Sequence, residues 1–348
     1  MATKIQITIC PIFKTIPPQL TISFNNTESF SGRLKSKKQF EFDIANNDMF
    51  DFRVRREGRT KDTIHDDPAN GFKIDSIVVN HIDIRPDIGS FQCKNNDYVK
   101  DHVVYGKEFA LNGEYKLQIP YYPMKGEITK NKERFTMNGQ NHEYVFFGAS
   151  MTDYDFTKGI PPINGKNNYA DLFIKKYGGL NLATSGQSNQ EVFETVYEYL
   201  KKNSAGTIFA QLVSHSVRQV KNTVTKKIER WSAYQDANLE IVDEFTGLRL
   251  RSLQEHFVYL DTTPIISLQV PEYKKLIEYA NESGSKIYFI SYFQDEYDVL
   301  KKAIPNSMAP YFNIDPDSKY CKDNGYHATY NEQENYFQTL VDFNQKIT

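Results

Sequence analysis

The sequence has no long apolar run and few cysteines. No stretch of 18 apolar residues occurs in its 348 residues, so we expect no membrane-spanning helix and no membrane partner. The first residues alternate like a strand and lack the apolar core of a signal peptide, so we expect synthesis in the cytoplasm. Cys10, Cys93 and Cys321 show no metal-ligand spacing, and we interpret them as reduced, buried thiols.

An excess of charge of one sign is also missing. The net charge is −2, which gives no reason to expect nucleic acid or an acidic membrane surface as a partner. A length of 348 residues favours two domains. Tryptophan is single, whereas tyrosine (23) and phenylalanine (24) are abundant. Such an aromatic content suits sheet-rich cores, and stacking on sugars is a second use for it.

Residues 1–125 read as short strands separated by turns. Six segments alternate apolar and polar side chains: Lys4–Ile9, Gln19–Phe24, Gln39–Ile44, Phe50–Val54, Ile74–Val79 and Tyr115–Ile119. Alternation with period two predicts strands with one buried face, and turn residues between them indicate an antiparallel β-sandwich. Asn25–Asn26 and Asn46–Asn47 are the predicted turns.

This part resembles the small β-sandwich carbohydrate-binding modules that precede esterase-like domains in some phage and bacterial proteins. The strings that carry the resemblance are Phe50–Val54, Ile77–Ile84 and Tyr105–Gly113. It implies an all-β, jelly-roll-like sandwich whose exposed tyrosines stack on sugars; the alternative is that they fill a core or an interface. Acidic residues surround His65 and would suit a hard cation, but we favour a solvated acidic loop and assign no metal.

After a polar, aperiodic linker at residues 126–142, the pattern changes to alternating strands and helices. The predicted strands are Tyr144–Phe147, Leu180–Ala183, Thr207–Val213 and Lys286–Ser291, and the predicted helices are Tyr169–Tyr177, Gln190–Lys202, Pro271–Ser283 and Glu332–Ile347. This alternation predicts an α/β domain over residues 143–348, with a parallel sheet between two helical layers. Residues 220–265 are expected to insert one or two helices that form a lid or an interface.

Ser150 stands where a nucleophile is needed. The apolar strand Tyr144–Phe147 runs into Gly148, and ligand sites of open α/β sheets lie at the carboxyl ends of the strands. Gly148 allows the sharp bend that would expose the following side chains. The alternative is that Ser150 only caps a helix.

Four separated strings fall in the same order along the chain: Phe147–Thr152, Asn181–Asn189, Gln211–Arg218 and Asp323–His327. The first three follow predicted strands, and the fourth precedes the last helix. Together they resemble the blocks of the SGNH (GDSL-type) hydrolase superfamily over residues 143–348. The resemblance implies a three-layer αβα, flavodoxin-like fold and a serine hydrolase site.

The resemblance assigns a role to each block. Ser150 would attack an acyl carbonyl, and His327 would take its proton. The family places an Asp three residues before the His, where this chain has Asn324, with Asp323 one step earlier. Either side chain could orient His327, but only Asp323 would stabilise the imidazolium by charge.

The oxyanion donors implied by the resemblance are the backbone N–H groups of Ser150 and Gly186 and a side chain of the third block. The family has an Asn in that third block, whereas this chain has Ser214 and His215; we assign the role to His215 and keep Ser214 as its alternative. The family's usual Asp before the serine is Ala149 here. Asn189 and Arg218 are predicted substrate contacts; pairing with a surface acid is the alternative for Arg218.

The sequence therefore predicts an esterase that removes O-acetyl or similar acyl groups from a polysaccharide, with no cofactor and no metal. The altered third and fourth blocks leave a second interpretation open. In that interpretation the carboxy-terminal domain is inactive, and the protein binds glycans or assembles with other virion subunits as a structural or adhesion component.

Overall fold

The computed structural model describes most of the chain. It describes residues 3–44, 50–60, 67, 70–93, 102–119, 141–149, 152, 168–184, 186–213, 217–232, 239–245, 247–251, 253–254, 262–315, 317 and 328–348. Two compact units make up the chain. The first comprises Met1–Tyr122 with Thr263–Pro271, and the second comprises Pro123–Thr262 with Glu272–Thr348.

The described residues of Met1–Tyr122 in the first unit form mainly strands, whereas Thr263–Pro271 is helical. The strands are β1 (Thr3–Ile12), β2 (Gln19–Phe24), β3 (Thr27–Arg33), β4 (Lys38–Ile44), β5 (Phe50–Glu57), β6 (Gly71–Val79), β7 (Ile82–Ile84), β8 (Ser90–Cys93), β9 (His102–Tyr105), β10 (Glu108–Phe109) and β11 (Gly113–Ile119). One antiparallel sheet has the order β10-β6-β1-β4, with β7 beside β6, and the other has the order β3-β2-β5-β11-β8-β9. The six strands predicted in this part are all present.

Aromatic rings from the two sheets contact one another and form the core between them. Phe109 of one sheet stacks on Phe91 of the other at 4.7 Å between ring centroids, and it lies 5.2 Å from Tyr115. Phe24 and Phe42 form a second such contact at 4.4 Å. The two antiparallel sheets are therefore packed as a β-sandwich, because each turns its apolar face towards the other.

The predicted turn at Asn25 and Asn26 joins β2 to β3. Both residues have positive φ, 45° and 64°, which is the backbone of the tight hairpin turns that follow the twist of a sheet. Asparagine tolerates this region better than most residues, which explains its use here. The second predicted turn, Asn46–Asn47, lies outside the described residues.

The second unit contains a parallel sheet. Its described strands are β12 (Asn141–Phe147), β13 (Leu180–Asn181), β14 (Ser204–Gln211), β15 (Val217–Lys221), β16 (Ile228–Ser232) and β17 (Lys286–Ile290). The order β13-β12-β14-β17 is parallel throughout, and β15 and β16 form a separate antiparallel hairpin. Beyond β17, Met308 bridges Phe289 in parallel, and the N–H of Phe312 donates to the Ser291 carbonyl at 3.1 Å.

Helices cover both faces of this sheet. The described helices are α1 (Tyr169–Tyr177), α2 (Asn189–Leu200), α3 (Thr263–Glu282), α4 (Gln294–Ala303) and α5 (Tyr330–Ile347). On one face, α1 and α5 pack on Phe146 and Phe209. On the other face, Tyr199 of α2 contacts Phe147, and Tyr273 of α3 contacts Phe289. Strand residues thus alternate between two apolar layers, as expected for a sheet buried on both sides.

Several predictions need correction. Helix α3 begins at Thr263 and continues through Pro271, so Pro264, and not Pro271, lies in its first turn. The first part of the 220–265 segment is not helical, because β16 and the end of β15 form a hairpin there. Helix α4 was not predicted at all. Cys93 is buried as expected, but Cys10 is only half-buried.

The predicted domain limits stay a prediction. The linker at 126–142 lies mostly outside the described residues, and its last two residues belong to β12. Among the described helices, none combines the length and apolar character needed to cross a membrane.

Candidate active site

The strand order of the parallel sheet reverses at β12. From this strand the chain passes to β13 on one side and later to β14 on the other, so a crevice is expected beyond the carboxyl ends of β12 and β14. Gly148 and Ala149 follow β12 at this edge, and Leu212 and Val213 follow β14. The candidate site is built from the polar side chains around these four residues.

Gly148 makes the chain turn where no larger residue fits. Its φ of +150° lies in the region that favours glycine, and an added Cβ would lie 2.7 Å from the Cβ of Gln211. Its carbonyl accepts a hydrogen bond from the Thr184 N–H at 2.9 Å. The first two predicted blocks are therefore joined through this glycine.

Gln211, at the end of β14, holds the residues on both sides of position 150. Its Oε1 accepts hydrogen bonds from the Ala149 N–H and from the Thr152 hydroxyl, both at 3.1 Å. Its Nε2 donates to the Leu212 carbonyl at 2.7 Å. Since Gln211 is completely buried, this amide has no competing water, and its bonds fix the corner in place.

The hydrogen bond between the hydroxyls of Thr152 and Tyr169 has a direction that follows from the single proton on each hydroxyl. Thr152 has one hydroxyl proton, which it gives to Gln211, so its contact with the Tyr169 hydroxyl makes Tyr169 the donor. Burial raises the pKa of Tyr169, and the bond to Thr152 opposes this only in part, so the phenol stays protonated and able to donate. The two hydrogen bonds thus run in one direction: Tyr169 donates to Thr152, and Thr152 donates to Gln211.

The Thr152 backbone is held as firmly as its side chain. Its carbonyl accepts from the side-chain amides of Asn168 at 2.8 Å and Asn181 at 2.7 Å, and its N–H donates to the Ala149 carbonyl at 3.0 Å. The segment that carries Ser150 is therefore anchored at both of its ends.

Tyr169 also connects this corner with the start of α5. Its N–H donates to Oε1 of Gln333 at 3.2 Å, and its ring lies 5.1 Å from that of Tyr336. Ala328, the residue after His327, is buried in the same apolar cluster as Tyr169. Thr152, two residues after Ser150, therefore bonds to Tyr169, and Ala328, directly after His327, lies in the same apolar cluster as this tyrosine.

Asn189, a predicted substrate contact, has another task in the structure. Its side-chain amide donates to the Val213 carbonyl at 2.8 Å and accepts from the Val213 N–H at 2.7 Å. It is buried and ties the start of α2 to the segment that leads into the third block. The structure thus gives Asn189 a positioning role, and contact with a substrate stays a prediction.

Gly186 keeps an accessible backbone. Its φ of +73° suits glycine, and the residue is exposed, although Gln187 and Ser188 beside it are buried. Among the described residues, none accepts a hydrogen bond from its N–H. An uncommitted, exposed N–H agrees with the donor role predicted for this residue, which stays a prediction.

The third block is followed by the β15–β16 hairpin, which is anchored on α2. Nη2 of Arg230 lies 3.0 Å from both carboxylate oxygens of Glu191, and the N–H of Gln219 donates to Gln190 Oε1 at 2.9 Å. Arg218 is buried on β15 opposite Trp231, and both interpretations of this residue, contact with a substrate and pairing with an acid, stay predictions.

The predicted catalytic residues lie outside the described residues. This holds for Ser150, His215, Asp323, Asn324 and His327. Their roles stay predictions, and the described part of the site consists of the groups that hold their neighbours.

Sequence reasoning missed the residues that hold the corner: Asn168, Tyr169, Asn181 and Gln211. A weak signal existed for Gln211, because it is a polar residue directly after the buried apolar run Ile208–Ala210. Buried amides need hydrogen-bond partners, so such a residue marks a place where backbone geometry is imposed. Asn168 gave no separate signal, since it is also an ordinary helix cap for α1.

A metal site needs several His, Cys, Asp or Glu side chains close together. Among the described residues, no three His, Cys, Asp or Glu side chains cluster suitably. Of the acidic residues near His65, only Asp67 is described. It is buried and accepts a hydrogen bond from the Lys14 N–H.

The chain was also compared with known proteins. No protein-family model and no curated protein matches it. Matching solved structures include an acetyl xylan esterase (Est2A) from the rumen bacterium Butyrivibrio proteoclasticus, with 12% identity, 98% of this chain and 86% of that chain covered, and a TM-score of 0.31.

Two further structures match. One is a carbohydrate esterase family 2 enzyme plus carbohydrate-binding domain from Corynascus thermopiles (Myceliophthora fergusii), with 9% identity, coverage of 98% and 92%, and a TM-score of 0.31. The other is vCBM60 in complex with galactobiose, with 10% identity, coverage of 33% of this chain and 99% of that chain, and a TM-score of 0.24. At TM-scores this low, the likeness carries no conclusion about this chain.

Proposed function

We propose that the chain is a serine esterase of the SGNH type that removes an O-acetyl or similar acyl group from a polysaccharide. The observation that supports this most is the anchored corner at residues 148–152. Gln211 and Thr152 hold it, and Tyr169 joins it to the start of α5, which directly follows the segment with His327. A nucleophile and its base need this kind of support, because small misplacements cost large factors in rate.

In this proposal Ser150 attacks the acyl carbonyl and His327 accepts its proton. Asp323 or Asn324 orients the imidazole. The N–H groups of Ser150 and Gly186, with the His215 side chain, stabilise the oxyanion. The ester C–O bond then breaks, and His327 gives its proton to the leaving hydroxyl group of the polysaccharide. A water molecule, deprotonated by His327, attacks the acyl-enzyme, and the acid leaves while Ser150 regains its proton. Arg218 would shape the third block from its buried place on β15, and no cofactor takes part.

The sheet supports the finer fold assignment. In chain order its strands are β12, β13, β14 and β17, and their order in the sheet is β13-β12-β14-β17. The segment Met308–Phe312 lies beyond β17. This is the order of flavodoxin-like folds, whose ligands bind where the order reverses. We propose that the second unit is a three-layer SGNH-like domain with its site at that point.

We further propose that the first unit is a jelly-roll-like, glycan-binding module. A polysaccharide would then be the partner of both units. Partnership with virion subunits has no support beyond the sequence, and we do not extend the proposal to it.

The test is the hydrolysis of 4-nitrophenyl acetate by the wild type and by Ser150→Ala. We expect the variant to lose about 10³-fold or more in kcat, because it lacks the hydroxyl that forms the acyl-enzyme in this proposal. Ser31→Ala, an exposed position in β3, is the control and should retain the wild-type rate.

Equal rates for the wild type and Ser150→Ala would remove Ser150 from the mechanism. If the wild type also fails to hydrolyse acetylated polysaccharides, the non-catalytic glycan-binding interpretation replaces the esterase.

A further inference from the structure

A cavity of about 520 Å³ lies between the segment that follows Met308 and the first turns of α5. Its lining includes Tyr311, Asn313 and Asp315 from the segment, and Asn335, Tyr336 and Thr339 from the helix. All belong to the second unit. No predicted catalytic or binding residue lines it.

The cavity opens at the same edge of the sheet as the candidate active site. Met308 runs parallel to β17, and the bond from Phe312 to Ser291 continues this arrangement. Asn313 and Asp315 therefore emerge at a carboxyl end, the edge at which α/β sheets bind ligands.

Two side-chain amides and one carboxylate oxygen in the cavity are uncommitted. Among the described residues, none bonds to the side chains of Asn313 and Asn335, and both are exposed. Asp315 uses one oxygen to accept from the Asp317 N–H at 3.0 Å, and its other oxygen has no described partner. Two amides and one carboxylate oxygen thus remain free to bind a ligand.

Glu332, by contrast, is structural. Its carboxylate accepts from the N–H and hydroxyl of Thr329, both at 2.6 Å, and from the Asp315 N–H at 2.7 Å. These bonds cap α5 and at the same time hold the Asp315 loop against the helix. The cavity is therefore pre-formed by its own capping box.

The floor of the cavity is apolar and rigid. Tyr336 is buried and stacks on Phe312 with ring centroids 4.1 Å apart and planes within 4°. Tyr311 forms a half-buried wall, held because its hydroxyl donates to the Tyr292 carbonyl at 3.2 Å. Its ring lies 5.3 Å from that of Tyr297.

The chemistry of the walls selects the ligand. The described residues that line the cavity include no lysine or arginine, and among them a phosphate, sulfate or uronate would meet the negative charges of Asp315 and Glu332. Amides, a carboxylate oxygen and tyrosine surfaces suit a ligand with many hydroxyl groups and apolar C–H faces. We propose that this cavity binds neutral sugar units of a glycan chain. The choice of a glycan as the ligand rests on the proposed esterase function.

The test is isothermal titration calorimetry of the full-length chain carrying Ser150→Ala, so that turnover does not interfere. Xylotetraose is the neutral probe, tetragalacturonate the acidic probe and the tetramer of glucosamine the cationic probe. We expect xylotetraose to bind and tetragalacturonate not to bind. Preferred binding of the glucosamine tetramer would overturn the assignment of a neutral sugar.

Site variants locate the binding. Asn313→Ala combined with Asn335→Ala should raise the Kd for xylotetraose at least about tenfold, since both uncommitted amides are lost. Gln338→Ala, on the exposed side of α5, is the control and should leave the Kd unchanged. Binding that survives in the double variant belongs elsewhere on the chain and refutes the proposal. Because the readout is binding, its outcome is independent of whether Ser150 is the nucleophile.

Discussion

The two units bury polar side chains for different purposes. In the first unit, Arg56 is buried, and its guanidinium donates hydrogen bonds to the side-chain oxygens of Asn70 at 2.6 Å and Asn112 at 2.9 Å. Burial, reinforced by Arg59, lowers the pKa of Arg56 to about 10. These bonds tie the segments before β6 and β11 to the end of β5, which seals one end of the sandwich.

At the corner of the second unit the buried polar side chains are neutral, and they hold the backbone on either side of position 150. Gln211, Thr152 and Tyr169 converge on the backbone around residue 150. The difference teaches that buried polar groups alone do not mark a reaction site. What distinguishes the second unit is that its network lies at the strand ends where the sheet order reverses.

The sharpest way to test this comparison is to break one network in each unit. Gln211→Leu leaves the Ala149 N–H and the Thr152 hydroxyl without an acceptor, so we expect kcat for 4-nitrophenyl acetate to fall about 10²-fold. Asn112→Ala should cost about 2 kcal/mol of unfolding free energy but leave kcat of the folded protein unchanged. Urea titration and steady-state rates separate the two effects; an equal loss of kcat in both variants would contradict the comparison.

A second pair of variants tests the backbone of the corner. Gly148→Ala combines positive φ with a Cβ 2.7 Å from Gln211, so we expect a loss of about 3 kcal/mol in unfolding free energy. Gly58→Ala, in the first unit, has a φ of +78° but no atom within 4 Å of the added Cβ, and should cost only about 1 kcal/mol. Denaturant titration measures both. Equal costs would show that the approach to Gln211 adds no strain.

The third pair compares ion pairs. Arg230→Gln removes the ion pair between Arg230 and the buried Glu191 carboxylate, while the bonds from Ser188 remain, so we expect a loss of about 2 kcal/mol in unfolding free energy. Lys37→Gln breaks an exposed pair with Asp75 and should give no measurable change, because water screens it. The melting temperatures of both variants provide the measurement. An unchanged melting temperature for Arg230→Gln would mean that the hairpin is not anchored by this pair.

The smallest effects come from two tyrosine hydroxyls. Tyr273 is completely buried and its hydroxyl has no hydrogen-bond partner in the part of the chain that the structure describes, so Tyr273→Phe should raise the unfolding free energy by about 1 kcal/mol. Tyr115 in the first unit donates to the Pro86 carbonyl at 2.7 Å, so Tyr115→Phe should lower it by about 1 kcal/mol. Urea titration reads out both, and two changes of the same sign would count against this account of the hydroxyls.

Regular burial made part of the fold predictable. Gln19–Phe24 and Tyr169–Tyr177 have the predicted bounds, because one face of each is buried and the spacing of apolar residues shows it. Strand β3 was missed, since it is largely exposed and carries no alternation. Helix α4 was missed because Val299 and Leu300 are its only apolar residues with buried side chains.

The candidate site was predictable only as strings of residues. Ser150 was predicted as the nucleophile because an apolar strand ends at a glycine just before it, and this pattern lies in consecutive residues. Gln211 and Tyr169 lie 59 and 17 residues away from Thr152, and nothing in their own surroundings in the sequence indicates that they bond to it. Asn189 was assigned to a substrate for the same reason, because its partner Val213 is distant in sequence.

The sequence by itself determined the change from alternating strands to strand–helix units and the candidate nucleophile at position 150. These depend on local spacing, since a strand repeats every two residues and a helix every 3.6. The tertiary structure alone decided which amides meet at the corner, which carboxylate holds the cavity beside α5, and where the parallel order reverses. Those outcomes depend on side chains that are distant in the sequence and come together across the sheet. Burial excludes water there, so each polar group depends on its hydrogen-bond partners in the protein.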